Sequence, residues 1–149
     1  MQTLETYVER TRASRSEDEL FKHFDDFVEG FGIDISAYYV VADHLRATRV
    51  EDGLIRDTFP PNWTKLYVEH KYAHIDPMLE QIRREARPFH WYELEKRVNL
   101  DARQKSFLED LKAGGIQDGI AVPVFGPLGS IAYFAFVGME NTLSLSEKD

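Results

Sequence analysis

Residues 131–137 run Ile131-Ala132-Tyr133-Phe134-Ala135-Phe136-Val137, with no charged side chain among them. Successive side chains of a β-strand point to opposite faces, so this strand is apolar on both. Such a strand needs cover above and below. The run falls well short of the roughly 18 apolar residues that a membrane helix requires, which leaves a buried strand. The turn sequence Gly126-Pro127-Leu128-Gly129 precedes it, and residues 119–125 supply the other arm of a β-hairpin.

Before the hairpin, residues 101–113 form an amphipathic helix with Phe107, Leu108 and Leu111 inward, stopped by Gly114-Gly115. Pro88-Phe89-His90-Trp91 is extended. Asp76-Pro77 opens a helix carrying Met78, Leu79 and Ile82 to about Ala86, with Asp at the cap and Pro at the first helical position. Pro61-Asn62 begins another, carrying Trp63, Leu66, Tyr67 and His70. Residues 35–42 are a strand by their β-branched and aromatic content. Residues 45–58 hold one or two more, with Asp52-Gly53 as a hairpin turn. Ser16 and Glu19 have capping-box spacing. Leu20, Phe21, Phe24, Phe27, Val28 and Phe31 follow on one helical face, and Gly32 ends that helix. Helix, strands, two helices, a strand, a helix and a hairpin together predict an α+β fold. Its form is an α-β-α sandwich, an antiparallel sheet of about five strands with helices on both faces.

A chain of 149 residues suits one domain. With no cysteine, disulfide scaffolds, thiolate zinc sites and cysteine nucleophiles are excluded. The polar, acidic start lacks the features of a signal peptide, and a soluble, cytoplasmic protein without membrane attachment is expected. A net charge of −8 makes the chain a poor partner for nucleic acid by itself. Ser144-Leu145-Ser146-Glu147-Lys148-Asp149 has the pattern of a helix start without a helix body, so a final helix that would cover one sheet face is expected to be missing. An apolar patch left open there would favour dimerisation.

The stretch 59–91 carries the candidate chemistry. Trp63 and Tyr67 are four apart and share one helix face. Asp76 follows at a helix start, and Trp91 after a proline. If these converge, they form an aromatic pocket with an indole donor, phenol hydroxyls and one carboxylate, suited to an uncharged ligand with an amide and a greasy tail. Each residue has a plainer reading: the indoles as core, Asp76 as a cap, Phe59 as packing, Gly119 as a turn glycine. The run Glu93-Leu94-Glu95-Lys96-Arg97 is a solvated face. His70 and His74 have metal-like spacing, but Lys71 stands beside them and opposes a cation, so neither metal nor cofactor is expected. No hydrolase, phosphate-loop or dinucleotide motif is present, and the expectation is a binding module without catalytic residues.

The chain resembles the autoinducer-binding domain of LuxR-type quorum-sensing regulators. The resemblance rests on Phe59-Pro60-Pro61-Asn62-Trp63 with Tyr67, Asp76-Pro77, Pro88-Phe89-His90-Trp91, and Gly115-Ile116-Gln117-Asp118-Gly119 before Val122-Pro123. It implies an acyl-homoserine lactone ligand. Trp63 would donate to the lactone carbonyl and Asp76 would accept from the ligand amide. Tyr67 and Trp91 would form walls, Met78 and Leu111 would add apolar bulk, and Gly119 would permit close backbone approach. It also implies a homodimer, and DNA binding only through a C-terminal helix-turn-helix domain absent from this chain.

Two positions depart from the family pattern. Phe59 stands where the motif opens with tyrosine, and Ala135 stands at the usual Ser or Thr of the last strand. An unpaired buried ligand carbonyl costs about 1–3 kcal/mol, so Tyr39 is the candidate for a substitute hydroxyl. The ligand expected is then a lactone with an unusual acyl chain, an aryl-homoserine lactone, or a different small signal. The alternative is a ligand-independent module that pairs with a full-length regulator and inhibits it.

Overall fold

The computed structural model describes residues 2–42, 54–116 and 118–138. The Asp52-Gly53 turn, the strand expected before it and the helix start at residues 144–149 lie outside the described residues. Two helices open the chain, α1 (Leu4–Ala13) and α2 (Glu17–Glu29), followed by strands β1 (Ile35–Ala42) and β2 (Leu54–Asp57). Next come α3 (Pro61–Glu69), α4 (Pro77–Ile82), β3 (Phe89–His90), α5 (Leu94–Arg97) and α6 (Ala102–Ala113). The hairpin strands β4 (Asp118–Phe125) and β5 (Ile131–Gly138) close the order. The five strands form one sheet in the order β2-β1-β5-β4-β3, every pair antiparallel.

Register sorts the side chains. Ala37 pairs with Ala135 and Ala135 with Ala121, while Tyr39 pairs with Tyr133. Paired residues of an antiparallel ladder face the same side. One face therefore carries Ala37, Tyr39, Tyr133, Ala135 and Val137, all at 3% exposure or less, under the helices after β2. The other face carries Tyr38, Phe134 and Phe136. There Phe24 of α2 lies 5.0 Å from Phe134 and 5.9 Å from Phe136, and Phe21 lies 6.0 Å from Tyr38. Residues 131–137 thus take apolar cover on both sides, as their composition demands.

Caps fix the helices that frame the core. The Ser16 side chain accepts from the Glu19 N–H, while the Glu19 carboxylate accepts from Arg15 N–H instead of closing the box on Ser16. At α6 the box is complete: Asp101 accepts from Gln104 N–H, and the Gln104 side chain accepts from Asp101 N–H.

Several expectations are corrected. Helix α1 is an element the sequence reading did not contain. None of its residues is buried, and it is held by stacking of Tyr7 on Phe27, 4.3 Å between ring centres. Helix α2 ends at Glu29, before Gly32, and Phe31 is 57% exposed, off the core stripe. Helix α4 stops at Ile82, short of Ala86. Trp91 begins a single 3-10 turn, Trp91–Glu93, so only Phe89–His90 of its segment is extended. In the run 93–97 the charges face solvent but Leu94 is completely buried.

Candidate functional site

The site lies between the Ala37/Tyr133 face of the sheet and helices α3, α4 and α6. Tyr39, Phe59, Trp63, Tyr67, Met78, Trp91, Leu111 and Ala135 all belong to one contiguous cluster of buried side chains. Asp76 and Gly119 are buried beside it. The ten candidate residues therefore come together.

Asp76 is the chemical centre. Its cap position at the start of α4 brings the carboxylate inward, where it is 3% exposed. Oδ2 accepts the Tyr67 hydroxyl at 2.8 Å and Oδ1 accepts the Met78 N–H at 2.8 Å. Burial raises its pKa from 3.8 to about 6, against the lowering effect of Tyr67 and the N–H groups of Met78 and Leu79. A carboxylate has about four acceptor positions, so one remains beyond these three donors. Capping and ligand binding are compatible at this residue.

Tyr67 joins the carboxylate to the aromatic wall. It sits on the inward face of α3 with Trp63, ring centres 6.5 Å apart. Burial and the Asp76 charge push its phenol well above its ordinary value, so it is a neutral donor. Its edge meets Tyr39 at 6.1 Å, and Tyr39 stacks on Tyr133 at 4.6 Å with planes 7° apart. Burial likewise keeps both of these phenols protonated, and the Tyr39 hydroxyl interacts with those of Tyr133 and Tyr67.

Trp63 faces two ways. Inward, it packs on Tyr67 and on Phe107 at 6.1 Å; beside these it stacks on Tyr72 at 6.0 Å. Outward, it lines an open cleft of about 670 Å³ with Pro60, Leu66, His70, Tyr72 and Asp110. The Tyr72 hydroxyl donates to Asp110 Oδ2 at 2.8 Å, tying the turn after α3 to α6. The chain does leave the helix between the two histidines: α3 ends at Glu69 and Lys71 adopts φ 52. His70 rests against the Tyr72 ring, 5.4 Å away.

Within the described cluster, the buried polar atom without a hydrogen-bond partner is Nε1 of Trp91. That side chain is 2% exposed, so the indole N–H is shut off from bulk solvent and meets no protein acceptor. Gly119 explains its position. An alanine methyl at that residue would lie 2.4 Å from Cδ2 of Trp91, so the indole occupies the space above the Gly119 backbone. The close approach that Gly119 permits in this structure is to Trp91.

Among the other members of the cluster, Tyr72, Phe107 and Tyr133 place their rings against candidate residues, and none of the three is itself a site candidate by sequence. Tyr133 is two residues from Ala135 and so shares its face. Phe107 is four residues from Leu111 on one helix stripe. Tyr72 sits in an aperiodic turn and gives no such signal.

Residues 16–149 match the family model described as the autoinducer binding domain. Transcriptional activator AhyR of Aeromonas hydrophila is 23% identical over 140 residues, 93% of this chain and 53% of that protein. The chain thus spans about half of that relative, and only 37% of another activator, TraR of Agrobacterium vitis. Among solved structures, CepR2 of Burkholderia cenocepacia, an N-acylhomoserine lactone dependent LuxR family transcription factor, superposes with TM-score 0.75 at 17% identity. That match covers 95% of this chain and 79% of that one. SdiA of Escherichia coli gives 0.71 at 15% identity, covering 97% and 58%.

Proposed function

The chain belongs to the autoinducer-binding domain family of LuxR-type regulators, and from that membership we propose that it senses an acyl-homoserine lactone in the buried cluster around Asp76. The observation that carries this reading is a carboxylate at 3% exposure, surrounded by aromatic rings and still holding an unused acceptor position. A buried ionisable group in apolar surroundings is costly unless paired, and the amide N–H of a neutral ligand pairs it without importing a second charge. Trp63 is the donor to the lactone carbonyl; Tyr67, Trp91, Met78 and Leu111 enclose the guest. The free N–H of Trp91 is a second donor, in keeping with a polar guest.

Signalling then follows from linkage. A ligand that binds only the folded form adds RT ln(1 + [L]/Kd), about 2.7 kcal/mol at a hundredfold excess over Kd. For a domain of ordinary marginal stability, this shifts folding and homodimer assembly together. DNA contact falls to a separate helix-turn-helix domain of the full regulator, since this acidic domain lacks the basic surface for it.

The test is a thermal-shift panel of acyl-homoserine lactones on the wild type and Asp76→Asn. At least one lactone raises the wild-type Tm in a dose-dependent way, and the variant loses most of that rise. Unchanged Tm at saturating doses of the whole panel refutes the reading.

A further inference from the structure

We infer that Tyr39 and Tyr133 form a wall that limits the ligand to a compact acyl group carrying a hydrogen-bonding oxygen. The inference rests on the lactone reading above and deepens it by naming the acyl class.

The wall is set by strand register. Tyr39 on β1 and Tyr133 on β5 are direct partners in the ladder, so their rings rise from the same face side by side. They stack at 4.6 Å with planes 7° apart, at 3% and 1% exposure. The next row along the same face is Ala37, Ala135 and Ala121, whose side chains end at Cβ. The floor of the site is therefore low along the alanine row and closed by two phenols on the adjacent row.

The wall stands one ring from the anchor. Tyr67 binds Asp76 through its hydroxyl and meets Tyr39 edge-on at 6.1 Å. In the proposed complex the acyl group of an amide held at Asp76 runs against Tyr67 and the stacked pair behind it, which pack together in the buried cluster. A long alkyl chain has two ways past, and each is unfavourable. It can displace a stacked pair fixed by the sheet, or push its methylenes between the hydroxyl ends and break the contacts that the Tyr39 hydroxyl makes with those of Tyr133 and Tyr67. A short acyl group with a hydroxyl or keto oxygen does neither, because the phenols supply its hydrogen bonds. These hydroxyls also take the place of those that Phe59 and Ala135 lack.

The experiment is competition binding of butanoyl-, β-hydroxybutanoyl-, octanoyl- and dodecanoyl-homoserine lactone to the wild-type chain, Tyr133→Phe and Tyr133→Ala. In the wild type the β-hydroxybutanoyl ligand binds tightest, and the dodecanoyl ligand is weaker by tenfold or more, on the order of 1.4 kcal/mol. Tyr133→Phe keeps the ring and still rejects the long chain, but loses the preference for the hydroxylated over the plain butanoyl ligand. Tyr133→Ala opens the wall and improves dodecanoyl binding by about tenfold relative to butanoyl. Tightest wild-type binding of the dodecanoyl ligand overturns this inference while leaving the lactone reading intact. Binding of none of the four overturns both. The wild-type ranking stands as a test even where Tyr133→Ala does not fold.

Discussion

Replacing Gly119 by alanine puts a methyl group 2.4 Å from Cδ2, 2.5 Å from Cε3 and 2.9 Å from Cε2 of Trp91. Ordinary carbon contacts lie near 3.5–4.0 Å, so the indole must retreat by about an ångström. It has little room to do so, being 2% exposed within the main buried cluster. Overpacking of this kind costs about 1–3 kcal/mol. For a domain of this size that lowers Tm by about 2–4 °C per kcal/mol. Urea melts of a double-mutant cycle isolate the contact. Trp91→Ala alone costs about 3–5 kcal/mol by leaving a cavity. Adding Gly119→Ala to it is then nearly neutral, giving a coupling of about 1–3 kcal/mol between the two sites. An equal cost of Gly119→Ala in both backgrounds, or a cost below about 0.5 kcal/mol in the wild type, refutes the contact.

The Asp76 carboxyl has a folded pKa of about 6 against 3.8 outside the fold, so its stabilising effect is full below pH 3.8 and is lost as pH rises through 6. The stability of the wild type relative to Asp76→Asn accordingly falls by something on the order of 3 kcal/mol between pH 4 and pH 7, measured by urea melts at each pH. Lactone affinity has the opposite slope, because the amide N–H needs the ionised carboxylate. Titration calorimetry gives a Kd that weakens about tenfold per pH unit below 6 and is flat above it. Tyr67→Phe removes the 2.8 Å donor to Asp76 and costs about 1–3 kcal/mol at pH 7, read as a drop in the urea midpoint. Asp101→Ala breaks the capping box of α6 and costs about 1 kcal/mol, with no change in lactone selectivity.

Elements whose signal is local were legible in the sequence. Strand β1 spans the expected residues 35–42, and α6 begins at the Asp101 cap and ends at Gly114, as its cap and glycine signals require. Helix α1 was not legible, because its stability comes from Tyr7 stacking on a residue of another helix and not from an amphipathic face of its own. Leu94 lay hidden in a charged run for a similar reason: one buried side chain in a four-residue helix leaves no period to detect. The convergence of Trp63, Tyr67, Asp76 and Trp91 was legible from the motif order. Tyr133 and its partnership with Tyr39 were not, since a strand apolar on both faces does not disclose which parity meets the helices. Register between distant strands decides that. The role of Gly119 was half legible: close approach was expected, but Trp91 as the group approaching is a tertiary fact.

Both tryptophans of the chain, Trp63 and Trp91, sit in the cluster around Asp76, so their emission reports on it. The most direct measurement is a fluorescence titration of the intact chain with each of butanoyl-, β-hydroxybutanoyl-, octanoyl- and dodecanoyl-homoserine lactone at pH 7. A saturable, single-site change that disappears in Asp76→Asn is the predicted result. Emission that stays constant at millimolar concentrations of all four lactones, or a change of equal size in Asp76→Asn, contradicts a signal-binding chamber at this carboxylate.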